Sequence, residues 1–206
     1  GHGLGVKPEF IFAKNRSNGN NWNCYVEATD NTGDYTLTLN GTGARSNSFN
    51  MWNDTAPTSS VITLGDRNET NGSSHNMVFY CFHSIKGYSK FGKYTGNITS
   101  GSDGAFVYTG FKPAWIMVKS DSNSGQEWVI FDNKRDTFNQ MDAWLYANAT
   151  TTEDSTGDAR DVDFLSNGFK FRNAGGPTSY SGRTYIYLAF AEHPFVSSKG
   201  VPVTAR

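Results

Sequence analysis

Short apolar runs separated by polar, glycine-rich segments dominate this chain. Most runs are four to eight residues long with borders rich in Gly, Asn and Ser, a pattern that favours strands over helices. The runs are WNCYV, YTLTL, SVITL, NMVFYCF, AFVYTGF, EWVIF, FKF and TYIYLAF. The pattern therefore predicts an all-β fold.

Two of these runs are almost continuously apolar. NMVFYCF and TYIYLAF lack the alternation of a half-exposed strand, so we expect both strands in the middle of the domain, covered on both faces. The best candidate for a helix is the segment from Asp136 to Tyr146, but its Asn and Thr content is unfavourable. We predict loop and strand there.

One passage of the chain occurs twice. GVKPEFIFAK at Gly5 to Lys14 returns as GFKPAWIMVK at Gly110 to Lys119, an offset of 110 − 5 = 105 residues. Further matches follow in the same order: the Trp22 segment with the Trp128 segment, LTLN with LYAN, and MVFYCF with YIYLAF. Such self-similarity predicts two copies of one supersecondary unit.

These patterns lead to one architectural hypothesis. We predict a two-layer antiparallel β-sandwich of the jelly-roll or concanavalin-like kind, because two facing sheets give the apolar strands a common core. The whole chain, 1–206, is expected to be a single domain in which the halves 1–97 and 98–195 are related by an internal pseudo-two-fold duplication. Residues 196–206 are expected to be a C-terminal extension.

Composition and charge exclude some partners. Charged residues make up 18% of the 206 residues and the formal net charge is −1, whereas nucleic-acid binding needs a clustered excess of Lys and Arg. No apolar run approaches the roughly 20 residues that a membrane-spanning helix needs. We therefore expect neither nucleic acid nor a membrane as partner.

Catalytic motifs are missing from the sequence. The four histidines are scattered, and no nucleophile motif or phosphate-binding glycine loop occurs. Paired carboxylates are the remaining route to an enzyme: Asp161 and Asp163 alternate along one predicted strand, and Asp132 and Asp136 flank Arg135. We predict a non-enzymatic protein without a cofactor.

Calcium and the cysteines each leave an alternative open. The acidic loop from Glu153 to Asp158 offers the oxygen ligands that calcium prefers, but solvated turn carboxylates explain the same residues and no EF-hand register is present. Cys24 and Cys81 align with apolar residues of the other copy. We therefore favour two free thiols over a disulfide.

Two segments combine the side chains that bind sugars in water. An aromatic ring covers the apolar face of a pyranose, while Asp, Asn and Arg hydrogen-bond to its hydroxyl groups. Trp52, Asn53 and Asp54 supply such a set, and Arg135 with Asp136 supplies a second polar group. We predict that these five residues bind ligand.

Several long phrases of the chain resemble a known family. They are HGLGVKPEFIFAKNR, MWNDTAPTSSVITLG, GYSKFGKYTGN, FVYTGFKPAWIMVK, DFLSNGFKFRN, TYIYLAFAEHPF and SSKGVPVTAR. Together they resemble a domain of unknown function from virion proteins of tailed bacteriophages, especially those of marine and cyanobacterial hosts, which are usually tail-fibre or structural proteins. The resemblance implies an extracellular location on a phage particle.

The expected function joins this resemblance to the sugar-binding residues. We predict a non-enzymatic virion module that binds a host cell-surface glycan and contacts other fibre subunits. Fibre proteins are commonly trimers, so a homotrimer and a monomer both remain open. The alternatives are a purely structural spacer or capsid-decoration domain, a polysaccharide depolymerase, and a lectin unrelated to phage.

Overall fold

A computed structural model describes residues 1–99, 103–155, 160–173 and 175–194, apart from the side chain of Phe49. Its strands and helices are β1 (Phe10–Asn15), β2 (Trp22–Val26), β3 (Tyr35–Thr38), β4 (Ser46–Asn47), α1 (Phe49–Trp52), α2 (Asn68–Asn71), β5 (Met77–Phe82), β6 (Ser89–Thr95), β7 (Phe106–Tyr108), β8 (Pro113–Ser120), β9 (Val129–Asp132), β10 (Leu145–Tyr146), β11 (Val162–Leu165), β12 (Gly168–Phe171) and β13 (Thr184–Ala191). Neighbouring strands of the described sheets pair antiparallel. The predicted all-β fold class is therefore confirmed.

The chain divides into two compact units, 1–83 and 84–206. This boundary lies 97 − 83 = 14 residues before the predicted division between 97 and 98. The difference arises because β6, which falls in the predicted first half, pairs along its whole length with β13 of the second unit.

The first unit contains one sheet with the strand order β4-β3-β2-β1-β5. Ile11, Ala13 and Tyr25 lie on one face of this sheet and form a buried cluster with Met51 and Trp52. The helical turn α1 thus covers the middle of the sheet with the side chains of Met51 and Trp52.

The second unit is a two-layer sandwich. Its larger sheet has the order β10-β9-β8-β13-β6, and its smaller sheet, called the small sheet below, has the order β11-β12-β7. Ile116, Val129 and Tyr187 from the larger sheet share one buried core with Phe164 and Phe169 from the small sheet. This packing confirms the predicted β-sandwich within the second unit.

The sheet of the first unit and the larger sheet of the second unit pair their strands in the same register. Ile11 of β1 lies opposite Tyr25 of β2 and Cys81 of β5. Ile116 of β8 lies opposite Phe131 of β9 and Ala189 of β13. Each of these positions matches its counterpart in the repeat, so the repeated phrases have equivalent strand pairing. The pseudo-two-fold duplication itself stays a prediction.

The expectation for the two most apolar strands is right for one and wrong for the other. β13 lies between β8 and β6, and five consecutive residues from Tyr185 to Ala189 are buried. β5 instead ends its sheet, and none of its six residues is fully buried. The segment from Asp136 to Tyr146 forms loop and the short strand β10, as predicted.

Cys24 and Cys81 are free thiols, as favoured from the sequence. The pairing gives the physical reason. Cys24 lies opposite Phe12, whereas Cys81 lies opposite the neighbouring residue Ile11. Since successive residues of a strand point to opposite faces, the two sulfur atoms are on opposite sides of the sheet.

The expected C-terminal extension, 196–206, lies outside the described residues. Among the residues that the structure does describe, the helices are too short to cross a bilayer.

Candidate functional site

Trp52 does not lie at a surface. Its side chain is 0% exposed, and its ring packs edge-on against Tyr25 with the ring centres 5.9 Å apart. An indole that is covered by Ile11, Tyr25 and Met51 has no face left for a pyranose. The structure therefore corrects the sugar-binding role predicted for Trp52. This residue is part of the core of the first unit.

Asn53 and Asp54 follow Trp52 and are exposed. Both adopt left-handed backbone conformations, with φ of 54° and 43°. Local desolvation, followed by the negative charges of Asp34 and Asp30, raises the pKa of Asp54. Their predicted role in sugar binding depended on the aromatic ring of Trp52, and that ring is buried.

Arg135 and Asp136 belong to the second unit, whereas Trp52 to Asp54 belong to the first. Arg135 forms ion pairs with Asp132, at 3.2 Å, and with Glu153. Asp136 accepts a hydrogen bond from the backbone N–H of Asp142 at 2.8 Å. Both side chains therefore have local structural partners that organise the loop after β9.

The proposed calcium loop is only partly described. Glu153 pairs with Arg135, and residues 156–158 lie outside the described part of the chain. Within the described residues, no group of three or more His, Cys, Asp or Glu side chains is arranged to hold a metal ion.

The alternating pair Asp161 and Asp163 leads to a different surface. Val162 and Phe164 point into the sandwich core, so Asp163 and Asp161 point to the other side of the small sheet. We call this side the outer face. Its residues are Phe106 and Tyr108 of β7, Gly168 and Lys170 of β12, and Asp163 and Leu165 of β11, with Asp161 and Arg172 next to the strand ends.

A network of charged side chains joins the outer face to Asp103. The guanidinium of Arg172 donates from Nε to Asp163 at 2.7 Å and from Nη1 to Asp103 at 2.8 Å, and its Nη2 also contacts Asp163. Lys170 Nζ donates to the second oxygen of Asp103 at 2.7 Å. The hydrogen bonds from Lys170 and Arg172 lower the pKa of Asp103, so this carboxylate stays ionised.

Three amide side chains border the same network. Asn139 accepts a hydrogen bond from Phe164 N–H at 2.9 Å and donates one to Phe164 C=O at 3.0 Å, which fixes its loop to β11. Gln140 and Asn173 each donate to Asp161. Together the six residues Asp103, Asn139, Gln140, Asp163, Arg172 and Asn173 line an open basin of about 470 Å³.

Two exposed aromatic rings lie on the same face. Phe106 is 45% exposed and Tyr108 is 64% exposed. Phe106 lies opposite Lys170 in the register, which connects the rings to the charged network. Gly168 leaves room for the Phe106 ring. A Cβ atom at this position would lie 2.9 Å from that ring and 2.2 Å from the backbone oxygen of Val107.

Gly104 places Asp103 beside Arg172. Its N–H donates to Phe171 C=O at 2.8 Å, directly before Arg172. A Cβ atom at this position would lie 2.8 Å from the same carbonyl oxygen and 2.6 Å from Ile98 Cδ1. Only glycine therefore allows this close approach of the backbone.

Sequence reasoning missed most of this site. Asp161 and Asp163 were candidates, but Asp103, Tyr108, Lys170 and Arg172 were not. The signal was available in the phrase GFKFRN, in which Phe169 and Phe171 alternate with Lys170 and Arg172, as in a strand with one charged face.

The chain matches the family described as "Domain of unknown function (DUF7483)" over residues 1–194. No curated protein and no solved structure matches it. Because the match covers nearly the whole chain, the protein belongs to the DUF7483 family.

Proposed function

We propose that this chain is a non-enzymatic module of a phage virion that binds a glycan on the host cell surface, and that the outer face of the small sheet is its binding surface. The virion location is supported by the sequence phrases that resemble phage tail-fibre and structural proteins. The binding surface is supported by the geometry of the second unit.

One observation carries the binding proposal: two exposed rings share a rigid sheet face with a fixed array of hydrogen-bonding side chains. Tyr108 and Phe106 offer apolar surface for the C–H face of a pyranose ring. Asp103 and Arg172 offer acceptors and donors for its hydroxyl groups. Because both rings lie on strand β7 and an ion pair holds Asp103 to Arg172, little order has to be gained on binding.

A glycan array followed by calorimetry tests the proposal. We expect the chain to bind oligosaccharides of a host envelope, and Tyr108→Ala and Asp103→Ala each to weaken binding by about tenfold or more. Tyr80→Ala is the matched control, because Tyr80 is a comparably exposed tyrosine, at 49%, in the first unit. Equal affinities of all three variants and the unmodified chain would remove the outer face from the proposal.

A structural role in the fibre is the second candidate, and β7 favours it. Among the described strands β7 lies at the edge of the small sheet, and it carries both exposed rings, an arrangement that suits pairing with a strand of another subunit. Such a role predicts that Tyr108→Ala changes the oligomeric state and leaves glycan binding unaltered. Analytical ultracentrifugation of the variant separates the two candidates.

The depolymerase alternative has weaker support. Asp103 and Asp163 contact the same guanidinium, so two carboxylates do share the basin. A glycosidase, however, needs one carboxyl group with a raised pKa as its general acid, and the pKa of Asp103 is lowered. Release of reducing ends from host polysaccharide would favour the enzyme over the binding module.

A further inference from the structure

We infer that the ligand of the outer face is a neutral glycan rather than an acidic one, with neighbouring hydroxyl groups of one sugar bridging Asp103 and Arg172. This inference rests on the proposed function, because it names the ligand class of the same surface. It follows from the charges of the basin and from the donors and acceptors that remain there.

The cations of the basin are already matched by carboxylates. Lys170 forms an ion pair with Asp103, and Arg172 forms ion pairs with Asp103 and Asp163. Asp161, which binds the amides of Gln140 and Asn173, adds a third carboxylate. Among the described residues, neither Lys170 nor Arg172 is therefore left without a carboxylate partner.

A further cation, Arg160, faces the other side of the small sheet. Arg160 precedes Asp161 and stacks on the rings of Trp144 and Tyr146, with its guanidinium carbon 4.8 Å and 5.5 Å from the ring centres. Trp144 belongs to the sandwich core, on the other side of the small sheet. A sugar carboxylate at the outer face would therefore find no unmatched cation among the described residues, and it would have to compete with Asp103 for Arg172.

Neutral hydroxyl groups fit the groups that remain. A guanidinium has five N–H donors, and three different nitrogen atoms of Arg172 each direct one to Asp103 or Asp163, which leaves two N–H groups without a partner among the described residues. The Asp103 side chain is 57% exposed and can accept further hydrogen bonds. A hydroxyl that donates to Asp103 beside one that accepts from Arg172 is the pattern that a sugar diol provides.

A paired panel of oligosaccharides tests the preference for a neutral over an acidic glycan. Glucose, galactose and mannose oligomers are each compared by calorimetry with the form in which C6 is oxidised to a carboxylate. We expect at least one neutral oligomer to bind about tenfold or more tightly than its oxidised partner, because like charges repel across a partly exposed site. We also expect its affinity to change less than about twofold between low and seawater salt, since no net ion pair forms.

Asp103→Asn provides the matched variant. It removes one negative charge and keeps the shape, so the ratio of neutral to oxidised affinity should fall by about fivefold or more. Tighter or equal binding of the oxidised sugars by the unmodified chain overturns the inference and leaves the proposed function standing. A folded chain that binds no member of the panel or of the host glycan array overturns the proposed function, and the inference falls with it.

Discussion

The side-chain oxygen of Asn148 accepts a hydrogen bond from the backbone N–H of Trp128 at 2.8 Å. In the first unit, Asn40 accepts the same bond from Trp22 N–H, also at 2.8 Å. A backbone bond accompanies each pair: Ala147 N–H donates to Trp128 C=O, and Leu39 N–H donates to Trp22 C=O. Each unit thus has an asparagine at the matching position that bonds to the start of the equivalent strand, which supports the hypothesis of a duplicated unit.

Replacing either asparagine should destabilise its unit, because hydrogen bonds are lost, but the loss of stability should differ between the two units. Asn148→Ala removes the bond to Trp128 and a second bond to Glu127, in a partly buried position, so we expect a loss of about 1–2 kcal/mol in the free energy of unfolding. Asn40→Ala also removes two hydrogen bonds, to Trp22 and to Asn21, but Asn40 is exposed, so the loss should be about 0.5–1 kcal/mol. Urea denaturation measures both.

Asn31→Ala is the control for this pair, because Asn31 is exposed and has no hydrogen bond among the described residues. We expect its midpoint to match that of the unmodified chain. Unchanged midpoints for Asn40→Ala and Asn148→Ala would mean that the hydrogen bonds of these two asparagines do not stabilise the strand pairs.

The repeated phrase made the strand pairing predictable, since residues that match in sequence also match in register. Pro8 and Pro113, for example, lie at the entry to β1 and β8, as a residue without an N–H donor should. The unit boundary was not predictable in the same way. It depends on β6, whose partner β13 is remote in sequence, and no local pattern indicates which unit receives that strand.

The role of Trp52 in the core gives a second prediction. Trp52→Ala should lower the free energy of unfolding of the first unit by about 3–5 kcal/mol, because it leaves a large cavity over the sheet. Trp52→Phe should cost less, since the indole N–H has no hydrogen-bond partner in the described structure. Thermal unfolding followed by calorimetry compares the two variants.

Glycan binding by Trp52→Phe should equal that of the unmodified chain at a temperature where both are folded. Tyr80→Phe serves as a surface control with an unchanged melting temperature. A Trp52→Phe variant that keeps its stability and loses glycan binding would return Trp52 to the binding site.

The candidate site could be predicted only in part, for a physical reason. Sequence proximity placed Trp52 beside Asn53 and Asp54, but it does not decide whether a ring points to solvent or to a core. Asp103 and Arg172 are 69 residues apart, and they meet because β7 pairs with β12. The alternation of Asp161 and Asp163 was the local pattern that correctly indicated a shared face.

Gly104 provides a test of how Asp103 is positioned. Gly104→Ala adds a methyl group within 2.8 Å of Phe171 C=O, so we expect a loss of about 1–3 kcal/mol in stability as the backbone shifts. The shift moves Asp103 away from Arg172, and glycan affinity should fall about as far as in Asp103→Ala. Gly43→Ala is the control, because a Cβ atom there meets no other atom within 4 Å. Full glycan affinity of a destabilised Gly104→Ala would contradict the positioning role.

Lys119 gives the chain a predictable dependence on alkaline pH. Its side chain is 0% exposed, and Nζ donates to Ser120 C=O at 2.9 Å. Burial lowers the pKa of Lys119 from 10.5 to about 8, although the carboxylates of Glu127 and Asp121 act in the opposite direction. The folded chain therefore releases this proton at a lower pH than the unfolded chain does.

The sign of the effect follows from proton binding. Between pH 8 and 10.5 the unfolded chain holds the Lys119 proton and the folded chain has lost it, so this residue adds stability as the pH rises through that window. Lys119→Met removes the effect. The stability of Lys119→Met relative to the unmodified chain should therefore fall by about 3 kcal/mol from pH 8 to pH 10.5, because a pKa difference of 1 corresponds to about 1.4 kcal/mol. Urea denaturation across this range measures the difference, in which the titration of all other groups cancels. Parallel stability profiles of the two proteins would mean that Lys119 titrates alike in the folded and unfolded chains.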